Sequence, residues 1–290
     1  MHEETIEARG AVGGGAAVSA GTAGTARVPV PPDLDFELLA SDGEPLETYW
    51  HTLEIALMGN VVRTTMKARG RRRFFVGGNM FVYYDPQQAR GIATDPGTRE
   101  HYKGPDIFFV SGVEPGIRDY WVTWEEGRYP EVIVELISMS TEKKDRGTNK
   151  DLYEQTFRTP EYFLYDPKKE KLEGFRLRGG PAGRGRYREI PATAEGRLWS
   201  EQLQAYLGLW RGTYEGETDT WVRLFDRQGR LLPTSDESKE ERAEQAEQRE
   251  EEERKQKLEE RQRAQLAEQR AAEAEAKIAA LEARFAASGS

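Results

Sequence analysis

Two apolar runs of strand length, Asp106 to Val110 (DIFFV) and Val132 to Ile137 (VIVELI), each carry one carboxylate, and together they constrain the fold more than any other feature of the chain. Short continuous apolar runs bounded by turn residues are expected in strands buried on both faces, as in the middle of a sheet covered by helices. An acid in such a strand is costly to bury, so Asp106 and Glu135 are expected to face a cation. If the two strands are neighbours, their carboxylates and the main-chain carbonyl of Leu136 make an oxygen-rich site suited to Mg²⁺, with Mn²⁺ as a substitute. A metal in such a place lowers the pKa of a bound water and steadies charge building on a phosphate.

A lysine close by would orient the attacking water and stabilise developing negative charge. Lys150 is the candidate, because it stands just before a helical segment that could pack back on the strand of Glu135. Tyr153, three residues on, would share its helix face. An exposed surface lysine is the competing reading, and spacing alone does not decide between them.

The surrounding pattern predicts a mixed α/β sheet. Glu47 to about Met66 has helical apolar spacing behind Pro45, and Arg73 to Tyr84 reads as two short strands broken at Gly77-Gly78. Trp121 to Tyr129 reads as an intervening strand or hairpin loop, Asn149 to Phe157 as a helix, and Glu161 to Tyr165 as a further strand. Lys171 to Ile190 alternates around glycines as an antiparallel hairpin. Helix, strands, helix, strand and hairpin in this order give a mixed β-sheet core flanked by helices.

Outside that core the composition changes. Residues 1–32 are rich in Gly, Ala, Ser and Thr and bury too little apolar surface to offset ordering entropy, so a disordered tail is expected, with the folded domain spanning 33–234. Residues 235–290 lack Gly and Pro until Gly289 and read as one long charged helix. Its apolar positions are sparse, and Ile278, Leu281 and Phe285 alone keep clear coiled-coil spacing. Self-association through this helix, capture of a protein partner, and a solvated single helix are all compatible with the pattern.

With no cysteine, disulfides, thiolate zinc sites and cysteine nucleophiles are excluded. The acidic start lacks the basic region of a secretory leader, and no stretch is apolar enough to span a bilayer, so a cytoplasmic protein without membrane association is expected. The net charge of −9 argues against a broad nucleic-acid-binding surface, although Arg69, Arg71, Arg72 and Arg73 form a local basic run. Other chemistries find little support. His2, His51 and His101 have no metal-ligand spacing, the Gly13-Gly14-Gly15 run lacks the lysine of a phosphate loop, and no serine stands in a nucleophile elbow.

Taken in order, Pro105-Asp106 before an apolar strand, VIVELIS with Glu135, then Ser140-Thr141, Asp145, Lys150, Tyr153 and EYFLYDP through Pro167 resemble the Uma-two family, a bacterial group of restriction-endonuclease-like proteins. The resemblance covers about residues 40–190. It implies the PD-(D/E)XK nuclease fold, an endonuclease acting on DNA, and metal-binding carboxylates at Asp106 and Glu135. The wider superfamily places its lysine two residues after the second acid, where this chain has Ile137; the family pattern supplies it from the following helix, as Lys150. Asp145 also matches, as an active-site neighbour or helix cap. The fold often draws a further acid from its first helix, where Glu47 is preferred over Glu54. The rival to a nuclease is a catalytically silent domain of the same fold, acting as an interaction module through its C-terminal helix.

Overall fold

The computed structural model describes residues 48–87, 89–90, 103–138, 141–179 and 185–288. The tail expected at 1–32 and the auxiliary acid Glu47 lie outside them. In chain order the elements are helix α1 (Tyr49–Ala68) and strands β1 (Phe74–Gly78), β2 (Val82–Tyr83), β3 (Ile107–Ser111) and β4 (Trp121–Val122). A one-turn helix α2 (Thr123–Glu126), strand β5 (Val132–Leu136) and a helical run α3 follow. The run α3 joins Glu142–Lys144, Asp145–Asn149, Lys150–Leu152 and Tyr153–Phe157, the second and fourth pieces wound in wider π turns. Then come β6 (Glu161–Asp166), β7 (Lys171–Arg178), β8 (Arg186–Glu189), β9 (Leu198–Ser200), β10 (Ala205–Tyr214), β11 (Glu217–Phe225) and helix α4 (Ser235–Ser288).

These elements form two units, one containing Arg73–Thr193 and the other Thr48–Arg72 with Ala194–Ser290. In the first, six strands make a mixed sheet ordered β1-β3-β5-β6-β7-β8. The acid-bearing runs are indeed adjacent: β3 and β5 pair antiparallel with Ile107 opposite Val134, so the register continued by one residue sets Asp106 against Glu135. Every residue of β5 and β6 is buried, as their unbroken apolar character predicts. These two strands are parallel, which demands a crossover, and α3 supplies it. Tyr153 and Phe157 of α3 enter an aromatic core with Phe108, Trp121 and Tyr162.

Gly77 in β1 marks where that core admits no side chain. A Cβ built there would run into the ring of Phe108, which is fully buried and cannot swing away. Gly77→Ala is expected to destabilise the protein by about 1–3 kcal/mol through overpacking. A urea midpoint lowered without a change in slope would show it; an unchanged midpoint would mean the sheet yields at β1.

Two local expectations change. The Trp121 to Tyr129 stretch is neither a full strand nor a hairpin loop: two residues of β4 pass directly into α2, which ends at Gly127 with φ 64°. One helical turn is too short to produce a period. The helix expected from Asn149 starts earlier, at Glu142, because its first turns are polar and leave no apolar stripe to read.

In the second unit, β11-β10-β9 form an antiparallel sheet. Helix α1 lies on β11, where Trp50 stacks on Trp221 with centroids 5.8 Å apart and Glu54 Oε2 accepts the Val222 N–H at 3.1 Å. Thr234 and Glu237 form a reciprocal capping box at the start of α4: the Glu237 N–H donates to Thr234 Oγ1, and the Thr234 N–H to Glu237 Oε2. Arg223, 1% exposed, donates to Glu237 Oε2 at 2.7 Å and to the Leu232 carbonyl at 2.9 Å, tying the first turn of α4 to the sheet. No helix among the described residues is long and apolar enough to cross a membrane.

Candidate active site

Asp106 stands at the entry to β3 and Glu135 one residue from the end of β5, and each carboxylate is held by the other's strand. Glu135 Oε2 accepts the Asp106 N–H at 3.1 Å, while Asp106 Oδ2 accepts the Leu136 N–H at 2.6 Å. This reciprocal lock fixes the two carboxylates side by side. Glu135 is almost fully buried, and Tyr153, reaching down from α3, donates its hydroxyl to Glu135 Oε1 at 2.8 Å. Burial, then the charges of Asp106 and Asp145, push the Glu135 carboxyl well above its ordinary range; the Asp106 N–H and the Tyr153 hydroxyl oppose that only in part. Burial and the Glu135 charge together raise the Tyr153 hydroxyl far above its ordinary value, so it remains a proton donor at neutral pH.

Asp145 lies at the first π turn of α3 and is 4% exposed. It accepts from Asn149 Nδ2 at 2.8 Å, and its main-chain carbonyl accepts the Tyr162 hydroxyl at 2.9 Å. It lies inside α3 rather than at the N-terminal cap of the helix, and its charge acts on Glu135. Asn149 and Tyr162 are site neighbours that the sequence reading passed over. A tyrosine inside the buried EYFLYD strand was the available signal for one of them, since a buried hydroxyl needs a partner.

Lys150 points elsewhere. Its Nζ rests 3.3 Å from the centroid of the Phe175 ring, and the charges around it are those of Glu154, Glu189, Glu173 and Asp151. Burial lowers its pKa. No described hydrogen bond or ion pair joins it to Asp106 or Glu135. Tyr153, three residues on, reaches Glu135 instead, so the two side chains end on different partners. Ile137, two residues after Glu135, is 4% exposed and packs in the aromatic core, so this position supplies an apolar contact and no cation.

The other candidates have structural work. Glu54 belongs to the second unit, on α1 under β11. His51 shares a 2.6 Å contact with Thr48 Oγ1 at the start of α1. In the basic run, Arg69 donates to the Leu203 carbonyl and Arg73 pairs with Glu114 at 3.0 Å, leaving Arg71 and Arg72 exposed.

The matching family model is Uma2, described as "Putative restriction endonuclease", over residues 25–213. The chain belongs to the Uma2 family. A similar solved structure, described as "a putative nuclease belonging to DUF820", comes from Anabaena variabilis, at 12% identity and a TM-score of 0.37, covering 55% of this chain and 76% of that one. No curated protein matches the chain significantly. The family's nuclease description agrees with paired carboxylates on adjacent central strands. Among the described residues no three Asp, Glu, His or Cys side chains gather tightly enough to enclose a metal. Two carboxylates still fit a hard cation that keeps most of its waters, whereas they would not fit one needing a closed protein cage.

Proposed function

We propose that this Uma2 protein is a metal-dependent endonuclease that hydrolyses DNA phosphodiester bonds at Asp106 and Glu135. The observation that carries the reading is the reciprocal lock, in which each acid's side chain accepts from the backbone beside the other. Keeping the buried Glu135 ionised beside the half-buried Asp106 is unfavourable, and a divalent cation would favour the ionised form of both. Asp106, Glu135 and the Leu136 carbonyl would hold Mg²⁺ or Mn²⁺, which when bound supplies charge neutralisation on the phosphate and acidifies a coordinated water. Tyr153 would keep Glu135 in its ligating orientation by holding Oε1, and Asp145 would add negative charge behind it.

The test is incubation of purified protein with plasmid DNA, with and without Mg²⁺ or Mn²⁺, beside an Asp106→Ala chain. Metal-dependent nicking that the variant loses is the expected result. A second reading, a silent nuclease fold serving as an interaction module, is favoured by the long exposed helix α4 and the net charge of −9. It predicts neither nicking nor Mn²⁺ binding by calorimetry.

Lys150 has a separate test. For it to assist, its flexible stem must carry Nζ off the Phe175 ring when substrate phosphate arrives. Lys150→Met is then expected to slow cleavage by about 10²-fold, the scale for losing one transition-state stabilising group. Cleavage at the parent rate would remove Lys150 from the site.

A further inference from the structure

The two halves of α4 treat their charges differently. In its first part Glu250 faces Arg254, Glu251 faces Lys255, Glu253 faces Lys257 and Glu259 faces Arg263, each an ion pair four residues along the same helix. Such ladders support a helix standing alone in water. Beyond residue 264 they stop: Glu268, Arg270, Glu275, Lys277, Glu282 and Arg284 make no ion pair among the described residues. Ile278 and Leu281 are 56% and 53% exposed on the same stretch.

The sequence of this second part has a heptad that includes its alanines. Setting Ile278 at position a places Ala264, Ala271 and Phe285 at a, and Ala267, Ala274 and Leu281 at d. A seam of small residues widening to Ile, Leu and Phe allows two helices to approach closely and then interlock at the C-terminal end. Leu258 and Leu266 fall outside this seam. The flanking positions are sorted by sign: e is Glu268, Glu275 and Glu282, and g is Arg263, Arg270 and Lys277.

We infer that residues 264–285 form a parallel, in-register coiled coil with a second copy of this chain. In a parallel pair, each g residue meets the e residue of the next heptad, so Arg263, Arg270 and Lys277 of one copy face Glu268, Glu275 and Glu282 of the other, on both sides of the seam. In an antiparallel pair g would face g and e would face e, setting arginines against arginines and glutamates against glutamates. Charge complementarity at these positions fixes partner and orientation. The proposal does not depend on the chemistry at Asp106 and Glu135.

Sedimentation of the full chain across a concentration series tests it. The expected result is a shift from 32.9 kDa toward twice that mass, abolished when Glu268, Glu275 and Glu282 are all replaced by Lys or when Arg263, Arg270 and Lys277 are all replaced by Glu. Mixing these two charge variants should restore the dimer. Because the chain has no cysteine, Ala267→Cys reads the orientation cleanly: residue 267 meets its own copy only in the parallel pair, so oxidation should give a disulfide-linked dimer. A parent chain that stays monomeric at the highest concentration, or a dimer in which Ala267→Cys fails to cross-link, overturns the inference.

Discussion

A Glu135→Gln chain is expected to lose metal-dependent DNA cleavage by on the order of 10³-fold while melting at a temperature equal to or above the parent's. The rate loss follows because one of two ligating carboxylates becomes a neutral amide, removing several kcal/mol of charge stabilisation, and about 4 kcal/mol corresponds to 10³ in rate. The stability gain has the opposite sign because Glu135 is nearly dry and surrounded by the like charges of Asp106 and Asp145. Glutamine keeps the shape and can still accept from the Asp106 N–H. Tyr153→Phe is a milder relative, removing the hydroxyl that steadies Glu135 Oε1, and should weaken Mn²⁺ binding by about 10–100-fold. Plasmid nicking, calorimetric titration with Mn²⁺ and a thermal melt would read all three. A Glu135→Gln chain that is fully active, or one less stable than the parent, contradicts this account of the site.

How far the sequence foretold this arrangement depends on whether a residue's role is set locally. Strands β3, β5 and β6 were legible because burial on both faces writes itself as an unbroken apolar run, and an acid within such a run stands out, as Glu135 does. The adjacency of Asp106 to Glu135 followed once the strands were neighbours, since antiparallel register leaves little choice. Roles set by direction were harder. Lys150 stands close in sequence to Tyr153, yet its side chain ends on the Phe175 ring and that of Tyr153 on Glu135. The sheet of β9, β10 and β11 left only a weak trace, because β10 alternates irregularly between buried and half-exposed residues. The pairing of α1 with β11 joins Glu54 to Val222 across 168 residues, a distance over which no local period carries information.

That last contact is a pH-dependent stability element. Glu54 is fully buried; Oε2 accepts from the Val222 N–H, and Oε1 has no hydrogen-bond partner among the described residues. Burial is the dominant influence and pushes its carboxyl up to about 8, with the Val222 bond and the Arg223 charge acting against it and Asp219 with it. An unfolded chain releases this proton near 4.5, while the folded chain holds it until about 8, so between those values folding takes up a proton. The contribution is fully present below pH 4.5, falls as pH rises through this window and is gone above about 8. It amounts to on the order of 5 kcal/mol at most, comparable with the whole stability of many domains. Glu54→Gln cannot ionise and should escape the loss. The variant's melting temperature minus the parent's is therefore expected to rise from pH 5 to pH 8 and level off beyond, cancelling the carboxylates common to both chains. A difference that stays flat across that range would mean that Glu54 folds in already charged, held by Arg223 more strongly than burial opposes it.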